Sequence, residues 1–217
     1  MRAFYVRIFF WSSTVGAASD HPSMPAIEYV GKSMNKFLAD HDRPSITFYK
    51  PGEREATVHL LNTLTGRRKY FQTDHYVPTV QWERVLNLGS LPQEGLILLV
   101  VKCNSSIIGY ARLFPEGKFE QNNKVGNIGL GLREAYHQQG IGKLLLGKIM
   151  TIAPTVGYEI LTADIFDTNF ISLRLFSSCG FLPVNEESIF LPFLDHDVRV
   201  VRVQAKFEAA EGIYACK

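Results

Sequence analysis

Apolar residues along this chain fall into runs that predict a series of neighbouring strands. Leu96 to Cys103 is almost entirely apolar, as expected for a strand buried on both faces. The turn residues Asn104-Ser105-Ser106 separate it from a second run, Ile107 to Phe114. A polar stretch, Pro115 to Lys124, then leads to a third run, Val125 to Leu132. The three runs predict consecutive strands in meander order.

Helical spacing of apolar positions predicts four helices. The first spans Glu53 to Arg68, with acidic residues in its first turn, and the second spans Thr79 to Leu88 before Gly89. The third follows Gly142 and is expected to end at Pro154. The fourth follows Asn169 and ends at Gly180.

Four further segments have the composition of strands. They are Ser45 to Lys50, Ile160 to Phe166, Glu187 to Phe193 and Val198 to Phe207. Because a helix separates Val125–Leu132 from Ile160–Phe166, these two strands are expected to be parallel neighbours joined by a right-handed crossover.

The strand Val125–Leu132 has two unlike faces. One face carries apolar side chains, and the other carries an asparagine and two glycines: Ile128, Leu130 and Leu132 against Asn127, Gly129 and Gly131. Glycine within a strand often marks a close approach by another group. The sequence therefore predicts that something lies against the bare face.

A glycine-containing turn connects this strand to the third helix. Gly140 and Gly142 allow a tight turn, and the first N–H groups of the helix suit a phosphate or pyrophosphate. The turn does not fit a Walker loop, because His137 stands where that loop needs glycine and Leu144 follows Lys143. A dinucleotide fingerprint also fails, because its third glycine is replaced by Leu145.

The turn and the fourth helix together resemble the GNAT family of N-acetyltransferases. His137-Gln138-Gln139-Gly140-Ile141-Gly142 resembles the acyl-CoA loop Gln/Arg-x-x-Gly-x-Gly/Ala, with histidine in the first place. The segment from Asn169 to Phe181 is similar to Asn-x-x-Ala-x-x-Leu-Tyr-x-x-x-Gly-Phe, with Ser172 for alanine and Phe176 for tyrosine. The resemblance extends over about residues 46–207.

The resemblance implies a fold and a cosubstrate. The fold is an α/β domain with a mixed, mostly antiparallel sheet flanked by helices, in which the two parallel strands splay apart at the cofactor site. Acetyl-CoA would bind there, with its pantetheine arm against Val125–Leu132. The implied binding residues are Leu130, Gly131, Leu132, Gln138, Gln139, Gly140, Ile141, Gly142, Lys143 and Asn169.

The implied activity is transfer of an acetyl group to a primary amine by direct attack on the thioester. In the similar ribosomal-protein N-terminal acetyltransferases, a glutamate lies five residues before the motif asparagine. Asp164 occupies that place and is the expected catalytic base. The alternative is that Asp164 orients backbone or pairs with Arg133 or Arg174. Because Phe176 lacks the usual hydroxyl, the alternative function is a non-catalytic acyl-CoA sensor or scaffold.

The composition limits the kinds of molecule that the protein is expected to bind. The 217 residues are 46% hydrophobic and 20% charged, which is typical of a globular protein. A net charge of +2 indicates no strong attraction to nucleic acid or membrane surfaces, and no run approaches a membrane-spanning length. The cysteines include no Cys-x-x-Cys pair, so no metal site is expected.

The expected domain organisation is an extension followed by one catalytic domain. Residues 1–45 are expected to be a poorly ordered tail, a targeting segment or a misassigned start, and residues 46–217 the acetyltransferase domain. Because acetyl-CoA is found inside cells, a cytoplasmic location is expected, and a homodimer is compatible with the sequence. The acceptor would lie near Phe71–Trp82 and Pro115–Lys124. A polyamine, an aminoglycoside, an amino acid and a protein N-terminus all remain open.

Overall fold

The computed structural model describes residues 44–117 and 124–207. The extension predicted for residues 1–45 lies almost wholly outside these ranges, so the proposed domain boundary stays a prediction. The described residues form seven strands and four α-helices. In chain order they are β1 Ser45–Phe48, α1 Arg54–Thr65, α2 Val80–Leu88, β2 Ile97–Cys103, β3 Ser106–Pro115, β4 Val125–Leu132, α3 Ile141–Val156, β5 Ile160–Phe166, α4 Phe170–Ser178, β6 Leu182–Leu191 and β7 His196–Lys206.

The seven strands form one sheet in the order β1-β2-β3-β4-β5-β7-β6. Every neighbouring pair is antiparallel except β4 and β5, which are parallel. The predicted mixed, mostly antiparallel sheet with one parallel pair is therefore confirmed. The crossover helix α3 links the two parallel strands, because a parallel pair needs a long connection.

Two apolar cores lie on opposite faces of the sheet. On one face α3 buries Leu145, Leu146 and Ile149 against the sheet, together with residues of α4. On the other face α1 buries Leu60 and Leu64, and α2 contributes its own apolar residues. Full burial of such a side chain stabilises the fold by about 1.5–3 kcal/mol. Both cores include residues from β2 and β3, which lie between the two helical layers.

Several predicted boundaries differ from the observed ones, as at the end of α1, which lies at Thr65 and not at Arg68, and two of the differences have a clear physical reason. Helix α3 continues through Pro154 to Val156, and its C-cap is Gly157, which has φ 103°. A proline near the C-terminus removes a single hydrogen bond, and the left-handed glycine supplies the actual stop. Strand β6 begins at Leu182, five residues before the predicted Glu187. It is an exposed edge strand with a bulge between Pro183 and Asn185, so it has no buried face to produce alternation.

The described residues also bear on the membrane and metal questions. None of their helices combines the length and apolar character needed to span a membrane. Within the same part of the chain, no group of three or more His, Cys, Asp or Glu side chains is placed to hold a metal ion.

Candidate active site

The parallel strands β4 and β5 separate partway along their length. Their pairing covers Val125 with Ile160, Gly126 with Leu161 and Asn127 with Thr162, and it stops there. Beyond that point β4 pairs only with β3, and β5 only with β7. The separation produces an opening in the middle of the sheet, which we call the β4–β5 gap. The splay expected from the sequence resemblance is therefore present.

The backbone of β4 presents alternate residues to the gap. Val125 O accepts from Glu116 N at 3.0 Å, and Arg133 N donates to Ile108 O at 2.8 Å, so the odd-numbered residues of β4 bond to β3. Because antiparallel pairs alternate, the even-numbered residues direct their N–H and C=O groups the other way. The groups beyond the paired segment are Ile128 O and the N–H and C=O groups of Leu130 and Leu132, because Ile128 N–H faces Thr162 O in the last pair. They present a strand edge to the gap.

The bare face of β4 is filled by side chains of the protein itself. A Cβ atom added to Gly129 would lie 2.8 Å from Arg112 Nε. One added to Gly131 would lie 2.8 Å from side-chain atoms of Leu64 and Tyr110. The close approach indicated by these glycines is therefore made by neighbouring side chains. Gly131 directs its backbone groups to β3, and its predicted contact with the cofactor stays a prediction.

The turn before α3 is shaped by two residues in the left-handed region. Gln138 has φ 60°, and Gly140, the N-cap of α3, has φ 80°. The helical hydrogen bonds begin with Leu144 N, which donates to Gly140 O at 3.1 Å. The N–H groups of the three preceding residues therefore point out of the helix end, where the dipole favours an anion. This geometry fits a pyrophosphate.

Side chains of the turn support its own backbone. His137 Nε2 donates to Leu132 O at 2.8 Å, and Gln139 Nε2 donates to Ala135 O at 3.0 Å. The half-buried ring of His137 therefore bonds the last residue of β4. This contact joins the turn to the strand edge at the gap.

A cavity of about 510 Å³ lies between the turn and α4. Its lining combines two cationic, two neutral polar and three apolar side chains: Lys143 and Arg174, Gln138 and Ser178, and Phe170, Ile171 and Leu175. We call it the α3–α4 pocket. Asn169 is the N-cap of α4, where its Oδ1 accepts from Ser172 N at 3.2 Å. The structure thus gives Asn169 a capping role, while a cofactor contact stays a prediction.

On the opposite face of the sheet, the mouth of the gap is crossed by a polar network. Asp164 accepts from Arg202 at both oxygens, at 2.8 and 3.1 Å, and from Asn127 Nδ2 at 3.1 Å. The ion pair expected as the alternative for Asp164 is therefore real, but its partner is Arg202 and not Arg133 or Arg174. The Asp164 carboxylate raises the pKa of Arg202.

Two further side chains complete this network. Glu116 accepts from Arg202 at 3.3 Å and from the Thr162 hydroxyl. Arg112 donates to Asn127 O at 3.3 Å and to Asn127 Oδ1 at 3.1 Å. We call the whole set the gap cluster: Arg112, Glu116, Asn127, Thr162, Asp164 and Arg202. The amide of Asn127 lies at its centre, with its oxygen toward Arg112 and its nitrogen toward the carboxylates.

A smaller cavity, about 200 Å³, opens beside the gap cluster. We call it the Arg112 pocket, and it is lined by Thr79, Gln81, Trp82, Arg112, Phe114, Pro115 and Asn127. Trp82 packs edge-on against Tyr76, Tyr110 and Phe114, with ring centroids 5.2–6.0 Å apart. Aromatic contacts of this kind fix the position of the wall.

Phe176 lies where the resembled motif has tyrosine. Its ring is 2% exposed and packs edge-on against Phe181 at 4.9 Å. Phe176 has no hydroxyl, so proton delivery to a leaving group from this position is excluded.

The structure brings the predicted residues together in two places. The turn residues 138–143 lie at the N-terminus of α3, and Asp164 lies at the gap. Sequence reasoning missed Arg112, Glu116 and Arg202. A signal for Arg112 exists, because it is a charged residue inside the apolar run Ile107–Phe114. Arg202 carried no such signal, since charged residues are common on a closing strand.

More than half of the chain matches the model of a known protein family. A model of the Acetyltransferase (GNAT) family matches residues 59–181. YwnH of Bacillus subtilis (strain 168), named as a candidate phosphinothricin acetyltransferase, is 39% identical over 59 residues. That match covers 27% of this chain and 36% of YwnH, so the chain spans little more than a third of this curated relative.

Solved structures are similar in fold over their whole length. The acetyltransferase of the GNAT family from Streptococcus pneumoniae has a TM-score of 0.67 at 18% identity, covering 76% of this chain and 100% of that one. YncA of Salmonella typhimurium, a candidate acetyltransferase solved with its cofactor acetyl-CoA, has 0.65 at 21%, covering 78% and 97%. The ribosomal-protein-alanine N-acetyltransferase of Brucella melitensis has 0.63 at 19%, covering 75% and 99%.

Proposed function

We propose that this chain, which belongs to the GNAT family of acetyltransferases, transfers the acetyl group of acetyl-CoA to a primary amine. The observation that carries the proposal is the end of β4–β5 pairing at Asn127 and Thr162. It leaves an edge of β4 that no other strand covers beyond that point. A ligand with amide groups can add to such an edge as an extra strand would.

The cofactor site is proposed to have three parts. Leu130 and Leu132 would pair through their backbone with the amide groups of the pantetheine arm. The N-terminus of α3, at Ile141 to Lys143, would hold the pyrophosphate through main-chain N–H groups. The α3–α4 pocket would take the nucleotide end, with Lys143 and Arg174 as cations for its phosphates.

The chemistry proposed at the gap is direct transfer. The amine nitrogen forms a bond to the acetyl carbonyl carbon, the carbon–sulfur bond breaks, and CoA leaves as the thiol after taking a proton. Leu130 N–H is the first β4 donor beyond the paired segment, because Ile128 N–H faces Thr162 O within it, and Leu130 N–H would stabilise negative charge developing on the carbonyl oxygen. Holding both reactants in the gap would supply most of the rate.

Asp164 is the proposed proton acceptor. Asn127 pairs with Thr162, so two residues further along the strands Asp164 is level with Gly129. Asp164 is therefore at the start of the gap. An ionised carboxylate has about four acceptor positions, and three are occupied here by Arg202 and Asn127. The remaining position would accept the ammonium proton, directly or through a water molecule. The alternative is a purely structural ion pair that holds Asn127 in place.

A second function, acyl-CoA binding without turnover, is favoured by one observation. Phe176 is buried and lacks a hydroxyl, so the usual acid for the leaving thiolate is missing. A simple assay distinguishes acetyl transfer from acyl-CoA binding without turnover. Purified protein with acetyl-CoA and a panel of amines should release free CoA thiol at a rate that depends on the amine. A protein that is stabilised by acetyl-CoA but releases no thiol with any amine would be a binding protein.

A further inference from the structure

We infer that the Arg112 pocket binds the carboxylate of the acceptor, and that the acceptor is a small molecule of the amino acid type with its amine close to that carboxylate. The inference rests on the proposed function and specifies its acceptor.

Arg112 lacks an anionic partner among the described residues. Its guanidinium donates to the backbone oxygen and the amide oxygen of Asn127, both neutral acceptors. The two carboxylates of the gap cluster are bonded to a different cation, because Glu116 and Asp164 both accept from Arg202. Desolvation lowers the pKa of Arg112, while the more distant Asp164 charge opposes that effect.

A partly desolvated cation without a counterion is costly to the folded protein. Arginine has five N–H donors, and the described residues accept only two of those of Arg112. The remaining donors have the planar arrangement that matches a carboxylate. Binding an anion would therefore supply both the missing charge and the missing acceptors.

The walls of the pocket suit a small acceptor. Trp82 and Phe114 provide apolar surfaces, and the Arg112 guanidinium lies 5.2 Å from the centre of the Phe114 ring. Gln81 is fixed by donating to Pro115 O at 3.0 Å. The cavity of about 200 Å³ is smaller than the roughly 300–1,000 Å³ typical of drug-sized ligands. An amino acid fits this size class better than an aminoglycoside.

The position of Arg112 links the pocket to the chemistry. Its side chain crosses Gly129, where an added Cβ would lie 2.8 Å from Nε. Gly129 is at the level where β4 and β5 first separate. An acceptor carboxylate on Arg112 therefore places an amine one carbon away beside the gap.

The charge of Arg112 also separates the acceptor classes that the sequence leaves open. All charged groups of a polyamine or an aminoglycoside are positive, so they would be repelled by the Arg112 guanidinium, for which the described residues provide no ion-pair partner. A protein N-terminus has its nearest carboxyl group tied up in a peptide bond. A free amino acid carries the required anion, and the nearby cation favours the neutral, reactive form of its amine.

The test compares acceptors that differ only in the carboxylate. The full chain is assayed for CoA release with acetyl-CoA and the standard amino acids, the corresponding amino acid amides, spermidine and kanamycin. At least one amino acid should be acetylated, and its amide should have a kcat/KM lower by about 10²-fold, the effect of losing a charge-assisted pair. Equal or faster reaction of the amides, spermidine or kanamycin would overturn the inference while leaving the acetyltransferase function intact.

Arg112→Gln provides the second arm, because glutamine can still bond to Asn127. The variant should raise KM for the amino acid by about 10²-fold and remove the preference for acid over amide, with the thermal shift by CoA unchanged. Arg84→Gln is the matched control. Arg84 lies on α2 and forms an exposed ion pair with Glu94, so this variant should behave as wild type. An Arg112→Gln protein that keeps the acid preference would contradict the assignment.

A binding measurement covers the case in which no amine is turned over. The N-acetyl forms of the same amino acids, added with CoA, should raise the melting temperature of the wild type but not of Arg112→Gln. Absence of that shift in the wild type overturns the carboxylate site. A shift without any turnover would instead retain the site and exclude the proposed catalytic function.

Discussion

The two sides of the β4–β5 gap are built from different materials. The proposed cofactor side consists of main-chain groups, namely the edge of β4 at Leu130 and Leu132 and the N-terminus of α3. The proposed acceptor side consists of side chains from separate strands, such as Arg112 on β3 and Arg202 on β7. A site made from backbone needs glycines at defined spacing, whereas a site made from side chains needs only that distant positions meet in space.

The comparison explains what each side can tolerate. Main-chain donors survive most substitutions, so His137 can replace the residue of the family motif without loss of the N–H groups at the helix end. Side-chain sites have no such protection, because exchange of one charged residue in the gap cluster leaves its partner unpaired. The acceptor side is therefore expected to be the more sensitive half in activity measurements.

The largest effect is expected on the acceptor side. Asp164→Asn keeps the shape but removes the proposed base, and turnover should fall by roughly 10²–10⁴-fold with unchanged CoA affinity. The measurement is kcat from CoA release, with thermal shift by CoA as the binding control.

Arg202→Gln separates the chemical from the structural role of Asp164. It removes the ion pair with Arg202 but leaves the Asp164 carboxylate in place as a proton acceptor. Turnover should be retained far better than in Asp164→Asn. If both variants lose the same activity, Asp164 serves only to hold Asn127.

On the cofactor side, the corresponding test is Gly142→Glu. A carboxylate at the start of α3 would face the bound pyrophosphate, and CoA affinity should fall by about 10²-fold through charge repulsion. Gly142→Gln is the matched control, with the same size and no charge. A Cβ at Gly142 would lie 3.3 Å from a Leu175 methyl carbon, so both variants should fold. Equal losses in the two variants would indicate a steric effect and not an anion site.

Gly129→Ala is expected to affect the acceptor side alone and more mildly. The added methyl group would press on the end of the flexible Arg112 side chain and shift its guanidinium. We expect KM for the acceptor to rise by about tenfold at constant CoA affinity, an energy difference near 1.4 kcal/mol. Steady-state kinetics measure the KM for the acceptor, and isothermal titration with CoA measures the CoA affinity. A change in CoA affinity without any change in the KM for the acceptor would show that Gly129 belongs to the cofactor side and not to the acceptor side.

The smallest effect is expected for His137→Gln. The exchange restores the family residue and removes the hydrogen bond to Leu132 O, but the helix N–H groups remain. CoA affinity should change by no more than about fivefold, because a partly exposed neutral hydrogen bond contributes about 1 kcal/mol or less. Loss of binding in this variant would mean that the imidazole itself contacts the cofactor.

The backbone geometry of the proposed cofactor side was easier to predict from the sequence than the side-chain contacts of the proposed acceptor side, for the same physical reason. Gly140 and Gly142 stand close together in the chain, so a local motif reveals the turn, and the structure places them as expected at the start of α3. The parallel strands were predictable because the crossover helix lies between them. Their separation after Asn127 followed only from the family resemblance.

The acceptor side could not be predicted because its partners are far apart in the chain. Asp164 was expected to meet Arg133 or Arg174, and it meets Arg202 because β7 inserts between β5 and β6. The glycines at 129 and 131 indicated a close approach correctly, but a sequence does not say which atoms approach. Strand order and register supply that information.

The most direct test of the account is amine-dependent release of CoA by the purified full chain, with the acetylated product identified by mass spectrometry. We predict that acetyl-CoA raises the melting temperature, that one free CoA is released for each N-acetylated amine, and that an amino acid is the preferred acceptor. A protein that acetyl-CoA does not stabilise, and that releases no CoA with any amine, would contradict the proposed acetyltransferase function.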